Sequence, residues 1–263
     1  MSKKLGFALG SGGSRGVAHI GFLKAMEENG IYPDFISGTS MGSIVGACYA
    51  LGMTPDAMAK VVTELKMSEI FDLSLNPLGS GALLRSQKVQ KKLRKYLGKK
   101  TFNDLKIPFE CVATDLIAGK AVRLGGDKDV VTCITASSTI PSVFKPISMD
   151  NMLLVDGGVT CRVPITTVRE MGADVVIGID VLGKVRPNGR KYNMISLLFR
   201  MFEVCDCELV KYKVEKQNPD MFIEPDLGNM VQFKFKDIPW AIERGYETGK
   251  EFAPKIKELL SEK

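Results

Sequence analysis

The pentapeptide Gly38-Thr39-Ser40-Met41-Gly42 is the stretch of this chain best suited to chemistry. A short apolar run with Phe35 and Ile36 enters it, and Ile44-Val45-Gly46-Ala47-Cys48-Tyr49-Ala50 leaves it with helical spacing. That order reads as strand, sharp turn and helix with a serine at the apex. Gly-x-Ser-x-Gly is the spacing of a nucleophile elbow, in which small neighbours let the backbone take a strained turn and push the hydroxyl into the open. The start of the following helix adds backbone N–H groups and a positive dipole end beside the oxygen. The spacing alone also fits an ordinary turn, so Ser40 is a candidate nucleophile only if other elements supply its partners.

One such partner is the loop Gly10-Ser11-Gly12-Gly13-Ser14-Arg15-Gly16, between an apolar strand at Leu5 to Leu9 and a helix from Val17 to Met26 that stops at Asn29-Gly30. A glycine-rich turn from strand to helix aims several N–H groups at one point and binds a stable anion or one that forms during a reaction. The stable-anion alternative is a dinucleotide fold. It requires glycine where Arg15 stands, and an acidic residue at the end of the next strand, whereas Asp34 precedes it. The transient-anion reading makes Gly12 and Gly13 the centre of an oxyanion hole, with Ser14, Arg15 and Gly16 completing the loop.

A serine nucleophile also needs a base. No histidine follows Ser40, and the single histidine, His19, reads as a helix side chain satisfied by a backbone carbonyl. Asp156-Gly157-Gly158 follows a predicted strand, Met152 to Val155. Asp-Gly is a common turn dipeptide, but the carboxyl edge of an open α/β sheet is where ligands sit. A Ser40–Asp156 dyad is the arrangement that survives.

The elements that position these residues alternate in type, and they predict an α/β fold with a mostly parallel central sheet and helices on both faces. Further strands are expected at Phe109 to Asp115, Lys120 to Leu124 and Asp174 to Asp180, and further helices from Pro55, with Thr54 as N-cap, and from Asp129 to Ser137. Leu73 to Gly81 and Ile140 to Pro146 read as loops. Met194, Leu197, Leu198, Met201, Phe202 and Cys205 recur at helical spacing, most simply as core, otherwise as an acyl groove, a cover or a subunit interface. Pro254 is an expected break in the last helical stretch, Ile238 to Leu260. No linker or composition shift divides residues 1–263, so one domain is expected.

Hydrophobic content of 45% and charged content of 25% are ordinary for a globular protein. No apolar run approaches the length of a membrane span and no export signal is visible, so a cytoplasmic location, peripheral to membrane if attached at all, is expected. Six cysteines without a secretory signal favour reduced thiols. With one histidine no metal-ligand spacing can be assembled, and none is expected. The stretch Arg85 to Lys100 carries eight basic residues and no acidic one. It reads as a solvated helix face or as a contact for anionic lipid. Nucleic acid is not an expected partner, because the net charge of +6 is modest and no base-reading module accompanies it. Oligomeric state is left open.

In three motifs and their chain order the sequence resembles the patatin-like phospholipases. The glycine-rich loop Gly10 to Gly16 is similar to the family's oxyanion loop, Gly38 to Gly42 to its nucleophile motif, and Asp156-Gly157-Gly158 to its aspartate motif. Thr114-Asp115-Leu116 and Ala136 to Pro141 also look like family blocks, and the resemblance spans about Leu5 to Val181. It implies an acyl hydrolase with a Ser–Asp dyad, no metal or other cofactor, and fatty-acid esters as substrates. The alternative is a protein of the same fold that binds acyl lipid or regulates a partner with the dyad idle.

Overall fold

The strand β1 (Leu5–Leu9) is buried along its whole length because the sheet continues on both of its edges and helices cover both of its faces. In this computed structural model, which describes residues 3–65, 72–73, 82–184, 194–230 and 235–261, β1 runs parallel to β2 (Phe35–Thr39) on one side and β10 (Val175–Ile179) on the other. β11 (Met221–Ile223) extends the parallel set past β10, and β5 (Phe109–Asp115) extends it past β2. Strands covered on both faces read as continuous apolar runs, which is how β1 and β10 appear in the sequence. Three antiparallel strands complete the sheet: β6 (Lys120–Leu124) and β9 (Met152–Asp156) on β5, and β8 (Ile147–Met149) on β9. The expected mostly parallel sheet is thus a parallel core with antiparallel additions at one side.

Alternation along β1 sorts the two faces. Leu5, Phe7 and Leu9 meet the core shared with α1 (Ala18–Glu28), α2 (Met41–Leu51) and α5 (Val130–Ser137), where the rings of Phe7 and Phe22 pack edge to face at 5.5 Å. Ala8 and Val176 meet Val163, Ile165 and Val168, at and before α6 (Ile165–Glu170). The long helix α8 (Ile238–Ser261) lies against α1 at backbone distance. A Cβ on Gly21 would stand 1.8 Å from the Ile242 carbonyl oxygen, and one on Gly245 would stand 1.9 Å from that of Ala18.

Four expectations change. Ile140 to Pro146 is not all loop, because β7 (Ser142–Phe144) pairs with β4 (Ala82–Arg85) in a small sheet that also includes β3 (Asp72–Leu73). That pairing joins residues far apart in sequence and leaves no local signature. Pro254 does not break α8: it lies on an exposed position while Ala253 and Ile256 are buried, so the carbonyl it frees turns toward water. Among the described residues the stripe on α7 (Met194–Gln217) is not core, since Leu197, Met201 and Phe202 are each about half exposed and Cys205 is exposed. The inward side of α7 is Cys207, Val210 and Val214. Finally, α4 (Gln87–Leu97) buries Leu93 and Leu97 and exposes Lys88, Lys91 and Lys95, but Arg94 leaves the basic face to form a bidentate pair with Asp129, the N-cap of α5. Most of the Leu73 to Gly81 loop lies outside the described residues, as do the side chains of Arg85, Met194 and Leu198.

The α1–α8 contact admits nothing larger than hydrogen at its crossing points. Gly245→Ala is expected to destabilise the protein by ~2 kcal/mol or more, the scale of overpacking, read by urea denaturation. An unchanged midpoint would mean the helices can separate freely.

Candidate active site

Ser40 stands at the junction of β2 and α2 with φ 54° and ψ −123°, a backbone conformation that costs a non-glycine residue on the order of 1–3 kcal/mol. Its neighbours make this turn possible. A Cβ on Gly38 would meet the Gly42 carbonyl oxygen at 2.6 Å, and one on Gly42 would meet that of Leu9 at 2.2 Å. Hydrogen bonds hold the turn from both sides: Ser43 Oγ donates to the Ser40 carbonyl at 2.6 Å, and the Ser40 N–H donates to Ser137 Oγ at 2.9 Å. Ser137 in turn donates to the Val112 carbonyl on β5 at 2.7 Å.

Asp156 reaches the serine by a route the parallel-sheet rule does not describe. β9 runs antiparallel to its neighbour, so its C-terminus is not at the carboxyl edge by the usual logic. β6 occupies one edge of β5, and both β2 and β9 pair with the other edge, Thr39 opposite Val112 and Asp156 opposite Ala113. The two strands therefore meet end to end. Ser40 Oγ donates to Asp156 Oδ2 at 2.6 Å, and the Gly158 N–H donates to Asp156 Oδ1 at 2.8 Å. The Asp156 N–H donates to the Thr139 carbonyl at 2.7 Å, so the segment ending α5 holds both residues of the pair. Gly157 is required where the chain turns away, because a Cβ there would stand 2.1 Å from the Val112 carbonyl oxygen.

Both side chains are nearly inaccessible, at 4% for Ser40 and 5% for Asp156. Burial pushes the Asp156 carboxyl up to about 6, while the hydrogen bonds from Ser40 and Gly158 pull in the opposite direction. The carboxylate is consequently ionised at neutral pH and more basic than a free aspartate.

The glycine loop lies beside this pair. Gly10 donates to the Ile179 carbonyl at 2.9 Å and Ser11 to that of Arg162 at 2.9 Å, and residues 13–17 continue as a 3₁₀ turn into α1. Gly13 has φ 53°, and among the described residues the N–H groups of Gly12 and Gly13 have no acceptor. A Cβ on Gly12 would stand 2.4 Å from Val181, one on Gly16 2.5 Å from Met41, and one on Gly158 3.0 Å from Ser11 Oγ, so the three motifs are in mutual contact. His19 is fully buried behind the loop, where Nε2 donates to the Gly10 carbonyl at 2.9 Å. Burial holds its pKa down at about 4. Its hydrogen bond supports the loop, and the partner of the Ser40 hydroxyl is Asp156.

Two residues of this arrangement were invisible as site residues in the sequence. Ser137 lies 97 residues from its partner, and only the block Ala136 to Pro141 hinted at it. Arg162, 2% exposed, pairs with Asp180 at 2.8 Å and Asp206 at 3.2 Å and joins the end of β10 to α7. Burial pushes the Asp206 carboxyl up to about 7 against the opposing effect of Arg162. A cavity of about 320 Å³ adjoins this cluster, lined by Arg162, Val210, Phe222 and Glu224 among others. Among the described residues no group of His, Cys, Asp or Glu side chains could hold a metal ion.

Residues 7–169, more than half of the chain, match the family described as patatin-like phospholipase. The chain belongs to that family. It is 37% identical over 185 residues to an uncharacterised NTE family protein of Mycobacterium tuberculosis, covering 69% of this chain and 50% of that one. It is 34% identical over 186 residues to patatin-like phospholipase domain-containing protein 6 of Homo sapiens, covering 67% of this chain and 13% of that one. Lysophospholipase NTE1 of Coccidioides immitis is 29% identical over 283 residues, covering 97% of this chain and 18% of that one. The patatin-like chain thus spans half or less of the length of these relatives. Its fold is that of VipD from Legionella pneumophila, with a TM-score of 0.56 at 13% identity over 97% of this chain and 67% of that one. The type III effector protein ExoU gives 0.52 at 12% identity over 96% and 53%.

A raised carboxyl pKa is a stability statement. The folded value of about 6 exceeds the ordinary 3.8, so this contribution is complete below pH 3.8 and is lost as pH rises through 6. Asp156→Asn keeps the shape without the charge. Its melting temperature is expected to exceed that of the wild type at pH 8, with the difference shrinking toward pH 4. A difference independent of pH would show that Asp156 is not strained by burial.

Proposed function

We propose that this protein is a serine acyl hydrolase acting on fatty-acid esters of the phospholipid or lysophospholipid type, through Ser40 and Asp156. The observation that carries the reading is the 2.6 Å hydrogen bond from the Ser40 hydroxyl to a buried carboxylate. Ser40 Oγ attacks the ester carbonyl while Asp156 takes its proton, and the carbonyl oxygen becomes an oxyanion. The N–H groups of Gly12 and Gly13 receive that charge, in a loop completed by Ser14, Arg15 and Gly16, and the start of α2 adds its dipole. Collapse breaks the ester bond, and the leaving alcohol takes the proton from Asp156. Water, deprotonated by the same carboxylate, then attacks the acyl-serine, and the Ser40 oxygen leaves with that proton as the fatty acid is released. A carboxylate near 6 is a weak base for a serine hydroxyl, so the oxyanion loop carries much of the barrier lowering.

The names of the relatives, phospholipase and lysophospholipase, support the lipid substrate class. We propose that residues 1–263 act as one domain in a reducing, cytoplasmic setting, which suits the free thiols, and that no helix need cross the bilayer: among the described residues none is long and apolar enough. The exposed lysines of α4, with Lys99 and Lys100, are proposed to contact anionic lipid. Reversing Lys91, Lys95 and Lys99 to Glu is expected to slow hydrolysis of anionic vesicles severalfold and to leave a soluble short-chain ester unaffected, with high salt mimicking the variant. Unchanged rates on both substrates would return α4 to a solvated face.

The deciding experiment is labelling by a serine-reactive fluorophosphonate, expected for the wild type and absent in Ser40→Ala. With a soluble ester, kcat/KM is expected to fall in acid along one titration near pH 6, without a separate histidine limb, and Asp156→Asn is expected to lose about a thousandfold or more. A folded protein that neither labels nor turns over would instead be a binding protein of this fold.

A further inference from the structure

One short segment, Cys161 to Pro164, is hydrogen-bonded to all three motifs of the site. The Cys161 N–H donates to the Gly157 carbonyl at 2.7 Å, which ties the segment to the turn after Asp156. Its carbonyls accept from the other two motifs. Cys161 accepts from Thr39 Oγ1 at 2.9 Å, one residue before Ser40, and Pro164 accepts from Ser37 Oγ on β2 at 2.8 Å. Between them Arg162 accepts from the Ser11 N–H of the glycine loop at 2.9 Å. The position of this segment therefore sets how the loop stands against the nucleophile.

The glycine loop needs such a hold from outside. Glycine is the most pliable backbone, and the 3₁₀ turn of residues 13–17 starts after Gly12, which has no side chain to cap it. Two backbone carbonyls hold the entry to the loop, that of Arg162 on Ser11 and that of Ile179 on Gly10. The loop is pressed against both: a Cβ on Gly10 would stand 2.8 Å from the Ile179 carbonyl oxygen and 3.4 Å from that of Arg162. Side chains beside these two carbonyls are bonded to each other. Arg162 donates from Nε to Asp180 Oδ1 at 2.9 Å and from one terminal nitrogen to Asp180 Oδ2 at 2.8 Å. That nitrogen also donates to the Gly183 carbonyl at 2.7 Å, and the other to Asp206 Oδ2 at 3.2 Å. A bidentate fork fixes orientation as well as distance, which an apolar pair does not.

We propose that Arg162 is a positioning residue for the oxyanion loop: by locking the segment Cys161 to Pro164 onto Asp180, it places the N–H groups of Gly12 and Gly13 relative to Ser40 Oγ. The proposal rests on the hydrolase reading for its effect on rate, while its structural half is read without turnover. Oxyanion donors act only within hydrogen-bond reach of the developing charge, and a misplacement of about 1 Å costs about a hundredfold. Arg162 acts through the backbone of Ser11, so its loss falls on the transition state and not on ground-state binding.

Three variants test this. Arg162→Lys keeps the charge and loses the fork, Asp180→Asn keeps the shape and loses the charge, and Arg162→Met/Asp180→Val leaves neither member of the pair as a lone buried charge should the single variants fail to fold. Each is expected to lower kcat on a soluble short-chain ester about tenfold to a hundredfold with KM unchanged. The acid limb near pH 6 is expected to stay in place, because Asp156 is untouched. A trifluoromethyl ketone bonds Ser40 Oγ through its carbonyl carbon, its oxygen becoming an oxyanion as Asp156 takes the proton. Its affinity is expected to fall by the same factor as kcat, while a non-hydrolysable ether analogue of the ester binds as before. Amide hydrogen exchange at Gly10 and Ser11 is expected to quicken about tenfold or more, with the amides of β1 still protected. Wild-type kcat in the folded variants, a loss confined to KM, unchanged ketone affinity or unchanged exchange at Ser11 would each overturn the proposal. A wild type that neither labels with fluorophosphonate nor turns over, with exchange at Ser11 still quickened in the variants, would defeat the hydrolase reading and leave Arg162 holding the loop.

Discussion

Two strands that end against each other on one edge of β5 are the constraint on which the site depends. β2 arrives with the sheet and β9 against it, and the pairing of Thr39 with Val112 and of Asp156 with Ala113 leaves one residue step between their ends. A hydroxyl and a carboxylate meet at 2.6 Å because Asp156 ends a strand and Ser40 is fixed in the tight turn between a strand and a helix. Burial that raises the basicity of Asp156 follows from the same geometry, since the meeting point lies inside the sheet.

The glycines serve this constraint by letting backbones touch. Gly38 and Gly42 close the elbow, Gly157 lets the chain pass β5, and Gly10 and Gly12 bring the loop against β10 and Val181. Each position excludes even a methyl group, so the strain stored at Ser40 is held by packing and by Ser43 and Ser137, while Thr139 holds Asp156. His19 and Arg162 act at one remove: one holds the Gly10 carbonyl, and the other contributes the carbonyl that fixes Ser11 while its guanidinium joins β10 to α7. A buried Arg with two carboxylates earns its desolvation only where several such bonds are made together, and here they tie α7 to the site.

Local pattern alone identified the elbow, the glycine loop, the absence of a histidine after Ser40 and most of the strands of the parallel core. These signals are legible because a turn's sterics and a strand's burial are encoded within a few residues: glycine where no Cβ fits, an apolar run where both faces are covered. The direction of β9, the hydrogen bond of Ser137 and the pairing of β7 with β4 were not legible. They join residues 97 or more positions apart, or pair segments too short to show a period.

Exposure separates the two sources of information most sharply. Sequence by itself determined that α7 carries apolar residues at helical spacing, and that the chain contains a serine, an aspartate and a glycine loop in an order that fits acyl transfer. Only the tertiary structure decided which face of α7 is covered, because a periodicity of 3.6 marks a stripe without saying what lies opposite it. Only the tertiary structure decided, likewise, that Ser40 and Asp156 touch. Their contact spans 116 residues and depends on which edge of β5 each strand takes, a choice made by the packing of the whole sheet.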